Sequence, residues 1–195
     1  QQLEQALAQL ERAAERRAQL QALRIQLRDA PQLTAEARQE SERLKLASEA
    51  SMSRYDGMAL TALEKAFEQE GARLAESQEA LARANAEIIA AQTRPERAQV
   101  DIAADQDRMQ QIELALASGR DENRPLDAER RDALAAEWQA LELAIELRRE
   151  QLAGNNVLLD LAQARRDLLT LRTAALEREM EGLQALIAQR RSEAS

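Results

Sequence analysis

The stretch QTRPERAQ, residues 92–99, decides how this chain is read. On both sides lie long runs of Ala, Leu, Gln, Glu and Arg, the residues that favour helix most. A proline inside such a run ends or kinks a helix. Thr93 followed three residues later by Glu96 matches a capping box, and Pro95 then falls in the first turn, where its missing N–H costs nothing. The stretch therefore predicts a tight corner, with one helix stopping and an antiparallel helix starting.

Working outward, the helix before the corner has the clearest pattern. Leu60, Phe67, Leu74, Leu81 and Ile88 recur every seven residues, with Leu63, Ala84 and Ala91 at alternate positions. That is a heptad seam of the kind that packs knobs into holes. After the corner come Ile102, Met109, Ile112 and Leu116, ending at Ser118-Gly119, a C-cap signal. The polar segment 119–125 reads as a loop. A further helix follows with its seam at Leu134, Trp138, Leu141, Ile145 and Leu152.

Gly154-Asn155-Asn156 reads as the next break, since Gly and Asn tolerate left-handed geometry and Asn can cap a helix. Val157, Leu161, Ala164, Leu168 and Leu171 form one stripe of the last helix; Leu176, Met180, Leu183 and Ile187 form the next. Upstream, Leu3, Leu7, Leu10 and Ala14 mark a first helix, with Leu20, Leu23 and Leu27 on a rotated stripe. Asp29-Ala30-Pro31 should stop it, because the residue before proline avoids the α region. Thr34 is placed to cap a second helix running to about Ser51. The segment 51–59, which holds Gly57 and Tyr55, is expected to be a loop, with Tyr55 packed on a helix end.

Every strong pattern has a period of 3.5 to 3.6, and none alternates as a strand does. The expected fold is all-α: an elongated antiparallel bundle of coiled-coil hairpins with about five to six helices. It divides into an N-terminal two-helix segment, 1–57, and a hairpin core, 58–195. The structural residues are the corner and caps at Thr93, Pro95, Glu96, Gly154 and Asn155. The seam residues are Leu60, Phe67, Leu74, Leu81, Ile88 and Trp138.

Composition limits the chemistry. Among 195 residues there are one Trp, one Tyr and one Phe, too few bulky side chains for a wide core. Charged residues make up 32% of the chain, a mixture that reads as long helices. The formal charge is −8, with Arg interleaved among Glu and Asp, so there is no basic patch for a nucleic-acid backbone. The absence of cysteine removes disulfides and thiolate sites, and the absence of histidine removes the commonest general base. Carboxylate pairs such as Glu68 and Glu70, or Asp105 and Asp107, read as solvated helix faces rather than a cleft with shifted pKa values. No Gly-rich phosphate loop appears. No catalytic residue, cofactor or metal site is expected. No stretch approaches the ~20 apolar residues of a membrane span. The chain opens and closes within helical sequence and carries no signal peptide, which reads as a piece of a longer protein.

The order of features goes further. LAESQEALARANAEIIAAQTRPERAQ precedes a helix and a polar loop ending RPL; ELRREQLAGNNVLLDLAQARRDLL and LEREMEGLQALIAQRR follow. This series resembles the periplasmic helical "porin" domain of large members of the small-conductance mechanosensitive channel (MscS) superfamily, closest to its potassium-dependent branch, MscK or KefA. The matching residues are Gln92, Thr93, Pro95, Glu96 and Arg97, the Gly154-Asn155 step with Leu158, Arg166-Asp167, and Leu176-Glu177. The resemblance covers roughly residues 58 to 191. It implies a non-catalytic domain in the periplasm of a Gram-negative bacterium, carried by an inner-membrane channel that releases solutes under tension. The partners it implies are neighbouring subunits of a homo-heptamer, with the membrane reached only through regions outside this sequence. The residue patterns alone also fit a cytosolic coiled-coil scaffold.

Overall fold

The computed structural model describes residues 1–47 and 52–195. Ser51, expected at the end of a second helix and the start of a loop, lies outside the described residues. The architecture is three long helices: α1 (Gln2–Leu46), α2 (Leu60–Ser118) and α3 (Ala128–Glu193). A 3-10 turn, Met52–Tyr55, stands between α1 and α2. A minimal antiparallel ladder joins α2 to α3, with β1 (Arg120–Asp121) paired to β2 (Arg124–Pro125).

Three helices replace the five or six expected, because none of the three internal stops is a stop. Pro31 lies inside α1 and Pro95 inside α2. Gly154 and Asn155 lie inside α3. Thr34, expected as a cap, is in mid-helix and buried.

The reason is the repeat. The frame of Leu60, Phe67, Leu74, Leu81 and Ile88 continues without a slip through Pro95 to Ile102, Met109 and Leu116. The alternate row runs Leu63, Glu70, Ser77, Ala84, Ala91, Ala98, Asp105 and Ile112. Every one of these positions is buried or half-buried. A proline in a helix interior costs about 3 kcal/mol. Each large apolar side chain withdrawn from water returns about 1.5–3 kcal/mol, so one or two seam residues offset it.

The same logic sets the face of α1. Its inward rows are Ala6, Ala13, Leu20 and Leu27, and Leu23, Ala30, Ala37 and Leu44. The expected stripe Leu3, Leu7 and Leu10 points outward, 66%, 59% and 50% exposed. The leucines at 20, 23 and 27 fix the frame, and that frame extrapolates back to small alanines.

By contacts the chain forms two units. Unit 1 comprises Gln1–Ala30 and Ala90–Leu158; unit 2 comprises Pro31–Ile89 and Leu159–Ser195. In unit 1, α1 runs parallel to α3: Leu20 and Leu23 pack on Leu147, with Leu27 and Leu158 beside them. On the α2 side, Ile112 and Ala115 pack on Leu134, flanked by Leu116, Trp138 and Leu141. Gly119 ends α2 at φ 70°, and the Asp127 carboxylate caps α3 by accepting from the Arg130 N–H at 2.7 Å.

In unit 2, Tyr55, Leu63, Leu183 and Ile187 form a core with Met52, Leu60, Phe67 and Leu186. A smaller cluster joins Ala37 and Leu44 of α1 to Ala164 and Leu168 of α3. The successive stripes of α3 are therefore faces turned to different neighbours. Leu134–Leu141 and Leu183–Ile187 meet α2, whereas Ala164–Leu168 meets α1. A change of face, not an interruption, lies behind the expected break at Gly154.

The tight turn at β1–β2 places Glu122 and Asn123 at φ 48° and 66°. Two successive left-handed residues are the signature of a type I′ hairpin turn, which favours Asn-Gly. Replacing Glu122 with Asn and Asn123 with Gly should raise stability by about 1 kcal/mol in urea denaturation, by relieving the left-handed strain. A neutral or destabilising result would contradict the turn geometry.

Candidate functional site: a proline closed by a buried asparagine

In an α-helix each N–H donates to the carbonyl four residues back. At residue 95 that donor is missing, so the proline leaves the carbonyl of Ala91 without its helical partner. Ala91 is 2% exposed, and water is not at hand to replace the donor. An unsatisfied buried carbonyl would cost about 1–3 kcal/mol.

Asn155 of α3 supplies the donor. Its Nδ2 donates to the Ala91 carbonyl at 2.7 Å, and its Oδ1 accepts from the Arg94 guanidinium at 2.9 Å. Asn155 is itself buried. One side-chain amide thus meets both the carbonyl that Pro95 orphans and the side chain that precedes Pro95. The residue before it serves the opposite neighbour. A Cβ built on Gly154 would lie 2.3 Å from Leu27 Cδ2 and 2.7 Å from Leu27 Cδ1. Any side chain at 154 would push the Leu27 side chain from its present seat. The dipeptide Gly154-Asn155 therefore holds α1 with one residue and α2 with the next, all inside unit 1.

Thr93 and Glu96 do not cap a helix. Both are exposed on α2, and Thr93 Oγ1 donates to the Ala90 carbonyl at 3.3 Å, a bond within one helix. Of the seam residues, Ile88 is buried, and Leu60, Phe67, Leu74, Leu81 and Trp138 are half-buried. Trp138 donates its indole N–H to Glu113 at 3.1 Å.

Ion pairs flank the node in unit 1. Arg24 of α1 reaches Glu146 at 2.8 Å and Glu150 at 2.6 Å on α3. Arg108 bridges to Glu137 at 2.6 Å, and Arg148 holds Asp101 at 3.2 Å and Asp105 at 3.1 Å. Sequence reasoning missed these pairs, since partners far apart in the chain leave no local signal. It also missed a polar cluster in unit 2. There the Tyr55 hydroxyl donates to the buried Glu179 carboxylate, which Arg54 also pairs with. The Arg54 guanidinium stacks 4.8 Å above the Tyr55 ring.

Burial of Asp105 raises its pKa, outweighing the opposing pull of Arg148. A carboxyl with a raised folded value binds protons more readily folded than unfolded. Stability at this site therefore falls as pH rises from the ordinary carboxylate value through the raised one. Asp105→Asn should flatten that part of the stability–pH curve, read by urea denaturation from the ordinary carboxylate value upward. An unchanged curve would remove Asp105 as its source.

Among the described residues no group of three or more acidic, His or Cys side chains could hold a metal, and no helix is long and apolar enough to cross a membrane. What the geometry does is fix three helices in one register. The pairing is open to a double-mutant cycle. Asn155→Ala alone should cost about 1–3 kcal/mol by leaving the Ala91 carbonyl unpaired. In a Pro95→Ala background the restored N–H takes that carbonyl, and the same substitution should cost markedly less. Equal costs in both backgrounds would mean the two residues are not coupled.

All 195 residues match the family model described as the mechanosensitive ion channel porin domain, and the chain belongs to that family. The match includes the first 57 residues as well as the rest. No curated protein and no solved structure matches the chain.

Proposed function

We propose that this chain is a non-catalytic periplasmic domain of a large MscS-type channel, of the potassium-dependent (MscK) kind. In this reading the parent sits in the inner membrane of a Gram-negative bacterium through regions outside this sequence. The domain stands beside neighbouring subunits of a homo-heptamer and modulates opening under tension during osmotic shock. Membership of the porin-domain family over the whole chain carries the reading. The node at Pro95 and Asn155 supports a mechanical role, because it lets α2 run on through a proline while bonded to α3. A helix pair in fixed register passes on a displacement that a flexible corner would absorb.

The test is deletion of residues 1–195 from the parent channel, followed by patch-clamp recording and imaging of channel clusters. The expected result is an altered tension threshold, inactivation or clustering, with conduction itself retained. Records and images matching the intact channel in all three respects would end the modulatory reading.

A further inference from the structure

Within unit 2, the C-terminal part of α1 carries two buried hydroxyls on the face it turns inward. Its seam positions are Thr34, Ala37, Ser41 and Leu44. Thr34 and Ser41 are each 6% exposed, and neither hydroxyl has a hydrogen-bond partner. Two of four inward positions thus bury polar groups without compensation, which opposes packing. The buried apolar cluster that joins this segment to α3 is small: Ala37 and Leu44 against Ala164 and Leu168.

Among the described residues, every side-chain hydrogen bond and ion pair of Pro31–Leu46 stays inside α1: Gln32 to Glu36, Arg43 to Glu40, and Lys45 to Glu42. Across to α3, Arg172 contributes only the smallest of the influences on Glu40. The other packing of unit 2 contrasts with this. There α2 and α3 share Leu63, Leu183 and Ile187, a Ser77–Thr173 hydroxyl pair at 2.8 Å, and an Arg191–Glu64 ion pair at 2.6 Å. The weakly held segment also begins at a proline, whose missing N–H removes one α1 bond where the segment starts.

We propose that Pro31–Leu46 is a strap: it releases from α3 as a cooperative piece while α2 and α3 of unit 2 stay packed, and release uncovers Ala164 and Leu168. Regions with few apolar contacts and no interhelical polar ties are the ones that open first. The strap is a property of unit 2 alone and does not depend on the channel reading.

Hydrogen exchange on the 195-residue chain, read by mass spectrometry, tests it. Peptides within 33–42 should exchange at least about tenfold faster than peptides within 64–86 and 162–186. The change in protection should be a step at Pro31, not a gradient rising from the end of α1. The double substitution Thr34→Val with Ser41→Ala removes both orphaned hydroxyls and should slow 33–42 selectively. Equal protection in the three segments would overturn the strap. So would a gradient typical of end fraying, or a double variant that shifts all of unit 2 together. If the variant does not fold, the comparison within the unaltered chain decides the matter alone.

Discussion

The hydrogen bond from the Asn155 amide to the carbonyl of Ala91 is the constraint on which the rest of unit 1 depends. Proline at 95 removes the helical donor, and the carbonyl it frees lies in the interior. Left open, that group would favour a bend toward water or a break in the helix. Closed from α3, it lets α2 continue in an unbroken seven-residue frame from Leu60 to Leu116. The neighbouring Gly154 seats Leu27. Two adjacent residues of α3 therefore settle where both other helices stand along it.

Apolar and polar contacts divide the work. Leucine and alanine seams supply most of the free energy, but a row of alanines discriminates poorly between registers one turn apart. A buried polar residue in a helical seam does discriminate, at some cost in stability. In unit 1 the polar groups form a series: Asn155 with Ala91 and Arg94, then Arg148 with Asp101 and Asp105, then Arg108 with Glu137. Slipping α2 by one turn would break all of them. Unit 2 has its own counterparts in Glu179 with Tyr55 and Arg54, and in Ser77 with Thr173.

Much of this fold was legible in the sequence. The helical class and the seam of Leu60 through Ile88 followed from periodicity, whereas the segment expected as a loop after Gly119 folds as the β1–β2 ladder. The corner did not form, and the reason is instructive. Pro95 with Thr93 and Glu96 is a local stop signal, whereas the repeat is a long-range one. From Ile88 to Ile102 is fourteen residues, two whole heptads, so the frame already crossed the proline intact. The long-range repeat outweighs the local stop signal. Gly154 and Asn155 read locally as breakers, yet both lie inside α3. Their role as partners needs Ala91 and Leu27, which lie far away in the chain and announce nothing by composition. Leu3, Leu7 and Leu10 misled for the opposite reason: a good local stripe gave way to the frame set by Leu20, Leu23 and Leu27.

The account of unit 1 rests on α2 staying helical through Pro95. The most direct measurement is a spin-label distance across the proline. The chain has no cysteine, so Ala90→Cys with Gln106→Cys gives one defined label pair. A continuous helix separates these positions by about 24 Å along its axis, at about 1.5 Å per residue. A single narrow distribution near that value, allowing for the label linkers, is the expected result. A distribution centred well below it would restore the corner at residues 92–97 and contradict the account.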